Sequence, residues 1–279
     1  MSFVVETGAT DLYQAENMFW KRVATSMVLG PITLVTVYLG FPYFHVMVVL
    51  ISACVFSEFV QIVGERKLSL RIIIAILTLV VGVAVAEISA IYAVTLVAIL
   101  GLVLLLTDQS HRRFSIASIH VALLYAALPS ITIIMVYTIG GVETMFWLLA
   151  IVWGTDIGAY VLGRLIGGPK LASRISPNKT WSGAIGGVLL AIVALILVDF
   201  IYSIGLQSIH FVYAISVSIL AQLGDLAQSS FKRKYNVKDS GRLLPGHGGV
   251  MDRVDGLWTA SPLVAVLCVA NSSGVTSWL

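Results

Sequence analysis

Five acidic residues stand where an apolar chain has least use for them: Glu58, Asp156, Asp225, Asp252 and Asp255. Glu58 precedes Arg66 by eight residues, Asp156 precedes Arg164 by eight, and Asp225 precedes Lys232 by seven. At the helical rise per residue, each of these three acids lies roughly 10–12 Å below a rim of basic side chains. Acids inside apolar spans are costly and are mostly retained for a function. Asp252 and Asp255, three residues apart, share a helix face. Carboxylates beneath a basic rim suit a hard cation, because magnesium takes oxygen ligands from one or two carboxylates and from substrate phosphates. Asp156 in "WGTDIGAY" and Asp225 in "QLGDLAQS" also have glycine neighbours, which let a helix or a ligand come close. Glu58 fits a helix-packing carboxylate equally well.

Two basic stretches supply the opposite charge. "RISPNKTW" places Arg174 and Lys179 on either side of Ser176–Pro177. Proline fixes its own φ and biases Ser176 to an extended form. Thr180 then opens a helix through "SGAIGG", and free N–H groups at a helix start beside Arg and Lys suit a phosphate. A plain anchoring loop is the competing reading. The second stretch, "FKRKYNVKDSGRLLPGHGGVMDRVDG", carries Lys232, Arg233, Lys238, Arg242 and Arg253. Gly246, Gly248 and Gly249 bracket His247, and glycines at positive φ turn backbone N–H groups toward an anion. His247 is a phosphate contact, a proton donor or a structural residue. Asp239 is a ligand or caps a turn with Ser240. Polyanion and metal can therefore meet at one spot beside lipid. That combination points to phosphoryl or nucleotidyl transfer to a lipid, in which metals and cations offset charge on the transferring and leaving groups. A second ion could clamp attacking and leaving oxygens.

The elements that must position these groups are membrane spans. Of 279 residues, 58% are hydrophobic and 11% charged, against about 25% charged in soluble domains. A spanning helix needs about 20 apolar residues. Such runs fall near 23–41, 43–63, 70–87, 89–107, 114–138, 144–163, 183–203, 209–230 and 255–272, which predicts an all-α polytopic membrane protein of nine transmembrane helices. All 17 Lys and Arg lie near the start or in alternate loops. Since cytoplasmic loops collect Lys and Arg, the N-terminus is expected in the cytoplasm and the C-terminus outside. The loops 164–182 and 231–254 hold ten of those 17, so function is expected on the cytoplasmic side. The reading divides the chain into a cytoplasmic segment 1–20, an N-terminal transmembrane half 21–143 and a catalytic half 144–279. Lys21–Arg22 precede an apolar run without a small-residue cleavage site, so a first span is expected there and not a signal peptide. Cys54 and Cys268 lie in apolar runs and read as core residues. No nucleic-acid partner is expected.

The stretch Ser229–Gly256 resembles the signature of the phosphatidate cytidylyltransferases, also called CDP-diacylglycerol synthases. That signature runs Ser, two residues, Lys-Arg, four residues, Lys-Asp-x-Gly, a short link, Pro-Gly-His-Gly-Gly, then Asp-Arg-x-Asp. "DIGAYVLGRLIGG" and "RISPNKTWSGAIGG" upstream are also similar to the family, so the resemblance covers Trp153 to about Pro262. It implies that CTP and phosphatidate give CDP-diacylglycerol and pyrophosphate, with magnesium required, at the cytoplasmic (inner) membrane. By match to the motif, Asp225 and Asp252 would hold metal, with Asp156 and Asp255 as further ligands of one ion or two. Lys232, Arg233, Lys238, Arg253, Arg174 and Lys179 would bind phosphates, and Ser176 and His247 would support the site. Two positions depart from the family, where Ser182 and Gln228 stand in place of the usual glutamates. The competing classes are a related lipid-CTP enzyme, such as a polyprenol kinase or an archaeal-type lipid cytidylyltransferase, and an anion or metal-ion transporter. Against the transporter, the outer-half acids Glu87, Glu143 and Asp199 sit only near turns. For the first half, a scaffold, a lipid gate and a homodimer surface all stay open.

Overall fold

Apolar sequence in lipid must satisfy its backbone internally, and a helix does so within one segment. The structure, a computed structural model, describes residues 25–64, 70–106, 113–203, 205–241, 243 and 248–271. In chain order its helices are α1 (Thr25–Leu39), α2 (Tyr43–Ile62), α3 (Leu70–Ala86), α4 (Ala90–Leu106) and α5 (Arg113–Ile166). After a small hairpin come α6 (Trp181–Tyr202), α7 (Ser208–Lys234) and α8 (Met251–Ala270). Among the described residues five helices are long and apolar enough to cross a membrane: α2, a 48-residue part of α5, α6, α7 and α8. Large apolar side chains cover the outside, which fits a multi-pass membrane protein.

Helix α5 is 54 residues long, more than one crossing needs, and it breaks at Gly141. There φ is +71° and ψ −175°, a backbone that glycine alone adopts readily. The two runs read from the sequence at 114–138 and 144–163 are the two arms of this broken helix.

The arms of the fold are joined by specific contacts. Pro129, inside α5, has no N–H to give the carbonyl of Tyr125 four residues earlier. Trp258 of α8 fills the gap, its Nε1 donating to the Tyr125 carbonyl oxygen at 3.0 Å. Trp258→Phe removes that donor and leaves the carbonyl unsatisfied. The expected cost is about 1–3 kcal/mol, read as a lower unfolding midpoint in detergent. Ser52 of α2 and Ser130 of α5, both fully buried, are hydrogen-bonded to each other. The most extensive helix contact is between α5 and α6. It depends on small residues: a Cβ on Gly158 would strike the carbonyl oxygen of Gly186, and one on Gly183 would come within 2.8 Å of that of Ala159.

The helical architecture is that of an all-α membrane protein, as expected, and two features add to the sequence reading. Loop 164–182 folds into a small antiparallel hairpin of β1 (Lys170–Ala172) and β2 (Ser176–Thr180). Pro177 is tolerated because a two-stranded ribbon leaves one edge of each strand unpaired. Helix α8 begins at Met251, four residues before the predicted span, so Asp252 sits in its first turn.

Candidate active site

One end of the bundle gathers the C-terminal ends of α5 and α7, the start of α6, the start of α8 and the hairpin. They enclose an open cavity of about 700 Å³. From α5 it is lined by Asp156, Ala159, Tyr160, Gly163 and Arg164, spaced as one helix face. From α7 come Gln222, Asp225 and Lys232, and from α8 come Asp252, Arg253 and Asp255. The hairpin and the start of α6 add Asn178, Lys179, Thr180, Gly183 and Ala184, while Asp239 closes one side. Five carboxylates thus share a cavity with four cationic side chains.

Two ion pairs organise this charge, and they differ in burial. Lys179 Nζ lies 2.6 Å from Asp225 Oδ2, with side chains 25% and 38% exposed. Lys232 Nζ lies 2.6 Å from Asp252 Oδ1, with side chains 12% and 7% exposed. Asp225 has one further partner, Ser229, whose Oγ donates at 3.3 Å. Asp252 is far more enclosed. Its Oδ1 also accepts from Gln228 Nε2 at 3.3 Å, and its Oδ2 accepts from the backbone N–H of Ser240 at 2.8 Å and of Gly249 at 3.4 Å. The buried Oε1 of Gln228 has no donor among the described residues.

The start of α6 is built as expected for a helix N-terminus. Thr180 is its N-cap and accepts from the Gly183 N–H at 3.1 Å. Ser182 donates to the Gly167 carbonyl at 2.5 Å and lies 2.9 Å from Thr180 Oγ1, so it ties the turn after α5 to the start of α6.

The structure brings together Asp156, Asp225, Asp252, Asp255, Lys179, Lys232 and Arg253. It does not bring Arg174, Ser176, Arg233 or Lys238 to the cavity wall. Arg233 instead donates to the carbonyls of Ile175 and Val237, both at 3.4 Å, and so fastens the hairpin to the end of α7. Gly248 has φ +84°, and Gly249 turns its N–H to Asp252. Gly246 and His247 lie outside the described residues, as do Arg242 and the segment 1–20. Tyr160, Asn178 and Gln222 line the cavity without a place in the sequence reading, and Arg164, expected at the basic rim, lines it too. Spacing held the signal for two of the three: Gln222 lies three before Asp225, and Tyr160 lies four after Asp156. The Arg164 guanidinium donates to the Tyr160 hydroxyl at 2.9 Å, which holds both at the rim.

The model of the cytidylyltransferase family matches residues 20–270. The chain belongs to that family. A phosphatidate cytidylyltransferase of Brucella suis biovar 1 (strain 1330) is 38% identical over 250 residues, covering 87% of this chain and 90% of that protein. Its Brucella melitensis counterpart matches to the same extent. The phosphatidate cytidylyltransferase of Staphylococcus haemolyticus (strain JCSC1435) is 41% identical over 181 residues, 63% of this chain and 68% of that protein. As a cytidylyltransferase, the chain must hold a nucleoside triphosphate and offset charge at the bond that breaks. Lys179, Lys232, Arg164 and Arg253 are the cationic side chains on the cavity wall.

Proposed function

We propose that this cytidylyltransferase moves CMP from CTP to phosphatidate, giving CDP-diacylglycerol and pyrophosphate. The observation that carries the reading is the charged cavity itself. Exposed apolar side chains that suit acyl chains stand near it: Tyr160 lines the cavity, and Leu165, Ile166 and Trp181, all exposed, directly follow the lining residues Arg164 and Thr180 in the chain. A water-soluble triphosphate and a lipid phosphate can meet there. The names of the relatives fit the same substrates.

In the reaction, a phosphate oxygen of phosphatidate attacks the α-phosphorus of CTP. A P–O–P bond forms, the α–β bond breaks, and pyrophosphate leaves with the electron pair. Lys179, Lys232 and Arg253 bind the phosphates and offset the charge that moves to the leaving group. Asp156 and Asp255 line the same cavity. The chemistry of the donor set suits magnesium: Asp225 and Asp252 offer carboxylate oxygens at the cavity wall, and magnesium takes one or two carboxylates and completes its shell with phosphate oxygens and water. Asp225 and Asp252 would hold it, and it would add positive charge at the reacting phosphates. Asp225 is the readier ligand, since its side chain is the more exposed.

Nine crossings, with the basic loops and the cavity on the cytoplasmic face of the inner membrane, belong to the same proposal. The alternation of Lys and Arg along the chain supports it. Purified protein in detergent, given phosphatidate, magnesium and labelled CTP, is expected to move label into the organic phase. Label transfer should stop when the metal is chelated and when phosphatidate is left out. Transfer that persists with chelator removes the metal from the reading, and absence of transfer by folded protein overturns the substrate assignment.

A further inference from the structure

Glu58 belongs to α2, far along the chain from every group that lines the cavity, and it is only 1% exposed and meets three donors. Its Oε1 accepts from the Val250 N–H at 2.8 Å. Its Oε2 accepts from the Met251 N–H at 2.9 Å and from Ser240 Oγ at 2.7 Å. Val250 and Met251 are the N-cap and first residue of α8, so Glu58 satisfies N–H groups that a helix start leaves without partners. Ser240 faces both ways: its hydroxyl donates to Glu58 and its N–H donates to Asp252. One carboxylate of the N-terminal half therefore grips two of the chain segments around Asp252, the Ser240 turn and the start of α8, while α7 holds it through Lys232 and Gln228.

The fit around Glu58 is close enough to dictate neighbouring residue types. A Cβ on Gly241 would come within 2.7 Å of Glu58 Oε1, and one on Gly249 would press on Ser240 Oγ and Glu58 Oε2. These two glycines let the backbone wrap the carboxylate. The next residue of α2, Phe59, stacks on Phe231 of α7 with ring centroids 4.4 Å apart, beside Lys232. The inner end of α2 thus braces both partners of the buried Lys232–Asp252 pair.

We propose that Glu58 is a positioning residue for the transfer reaction: it sets where Asp252 stands by holding Ser240 and the start of α8, and so makes the N-terminal half part of the active site. The kinetic side of this rests on the cytidylyl-transfer reading; the structural side does not. Glu58→Gln tests it, because an amide keeps the shape but turns an NH2 donor toward N–H or O–H donors. Hydrogen exchange at the Val250 and Met251 amides is expected to speed up about tenfold or more, while amides in the middle of α7 keep their protection. In the transfer assay, kcat is expected to fall about 10- to 100-fold with the KM for CTP within about twofold of the parent, since the CTP phosphates meet other side chains. Unchanged exchange at Val250 and Met251 overturns the clamp. Faster exchange with a parental kcat overturns the positioning role, and a general loss of protection across α7 reduces Glu58 to a packing residue. Ser240→Ala provides a milder second variant that deletes one donor. It is expected to lower kcat about threefold or more at unchanged KM for CTP, and a parental kcat in it overturns the link through Ser240. If the parent protein itself transfers no label, the reaction assignment fails while the exchange result still decides the clamp.

Discussion

Asp225→Asn is expected to lower kcat for transfer by about 100- to 1,000-fold while leaving the fold intact. Asp225 faces the cavity with 38% of its side chain exposed, and its ion pair with Lys179 is partly open to solvent. Pairs of that kind contribute about 1 kcal/mol or less, so the unfolding midpoint in detergent should barely move. The charge itself is what the reaction loses. An asparagine is a weaker ligand for a hard cation, and it no longer holds the Lys179 ammonium in place. Lys179→Ala separates these two effects. If Lys179 binds the triphosphate, its removal raises the KM for CTP about tenfold or more, a loss suited to one charge-assisted phosphate contact. If Lys179 only orients Asp225, kcat falls and the KM stays. Parental turnover by the Asp225→Asn protein, at matched folded protein and magnesium, would remove Asp225 from the metal site.

What the sequence made legible follows from which interactions leave a local trace. The helices show because lipid demands unbroken apolar runs of nearly fixed length, and α2, α6 and α7 lie within a few residues of the predicted spans. The cavity face of α5 shows because Asp156 has no reason to stand in such a run. The hairpin at Lys170–Thr180 left a weaker trace: its strands are short, and one contains a proline. The start of α8 was misplaced for a physical reason. Apolarity begins only after Asp252 and Arg253, although Asp252 and Asp255 share a helix face, and Glu58 receives the N–H groups that allow the helix to start at Met251. That link spans more than 190 residues, and no local pattern reports it. The lysines illustrate the same limit. Spacing placed Lys232 above Asp225, and Lys179 reads as a phosphate contact beside a helix start, but only the folded chain shows Lys179 against Asp225 and Lys232 against Asp252. Glycines were read as exposing N–H groups to an anion. At Gly249 the N–H goes to Asp252, and the missing Cβ makes room for Glu58.

Asp252→Asn is expected to cost both activity and stability, which sets it apart from Asp225→Asn. Its carboxylate is 7% exposed and receives Lys232, Gln228, Ser240 and Gly249. An asparagine can aim its oxygen at the two backbone N–H groups or at the Lys232 ammonium, but not at both. In the first case an NH2 group faces a buried cation. In the second it faces two N–H donors. Gln228 can relieve part of the conflict by turning its unpartnered Oε1 toward the new amide, but Lys232, 12% exposed, keeps an unpaired charge. Breaking a buried ion pair from one side costs about 3–5 kcal/mol, so the unfolding midpoint should fall on the order of 5–10 °C in detergent. Activity should drop at least as far as in the Asp225 variant. Lys232→Met in the Asp252→Asn background removes the stranded charge and is expected to restore most of the stability with none of the activity. Recovery of stability without turnover would assign the Lys232–Asp252 pair to chemistry as well as to folding. A double variant no more stable than Asp252→Asn alone would show that the loss comes from the backbone N–H groups of Ser240 and Gly249, and that the lysine contributes little to holding the start of α8 in place.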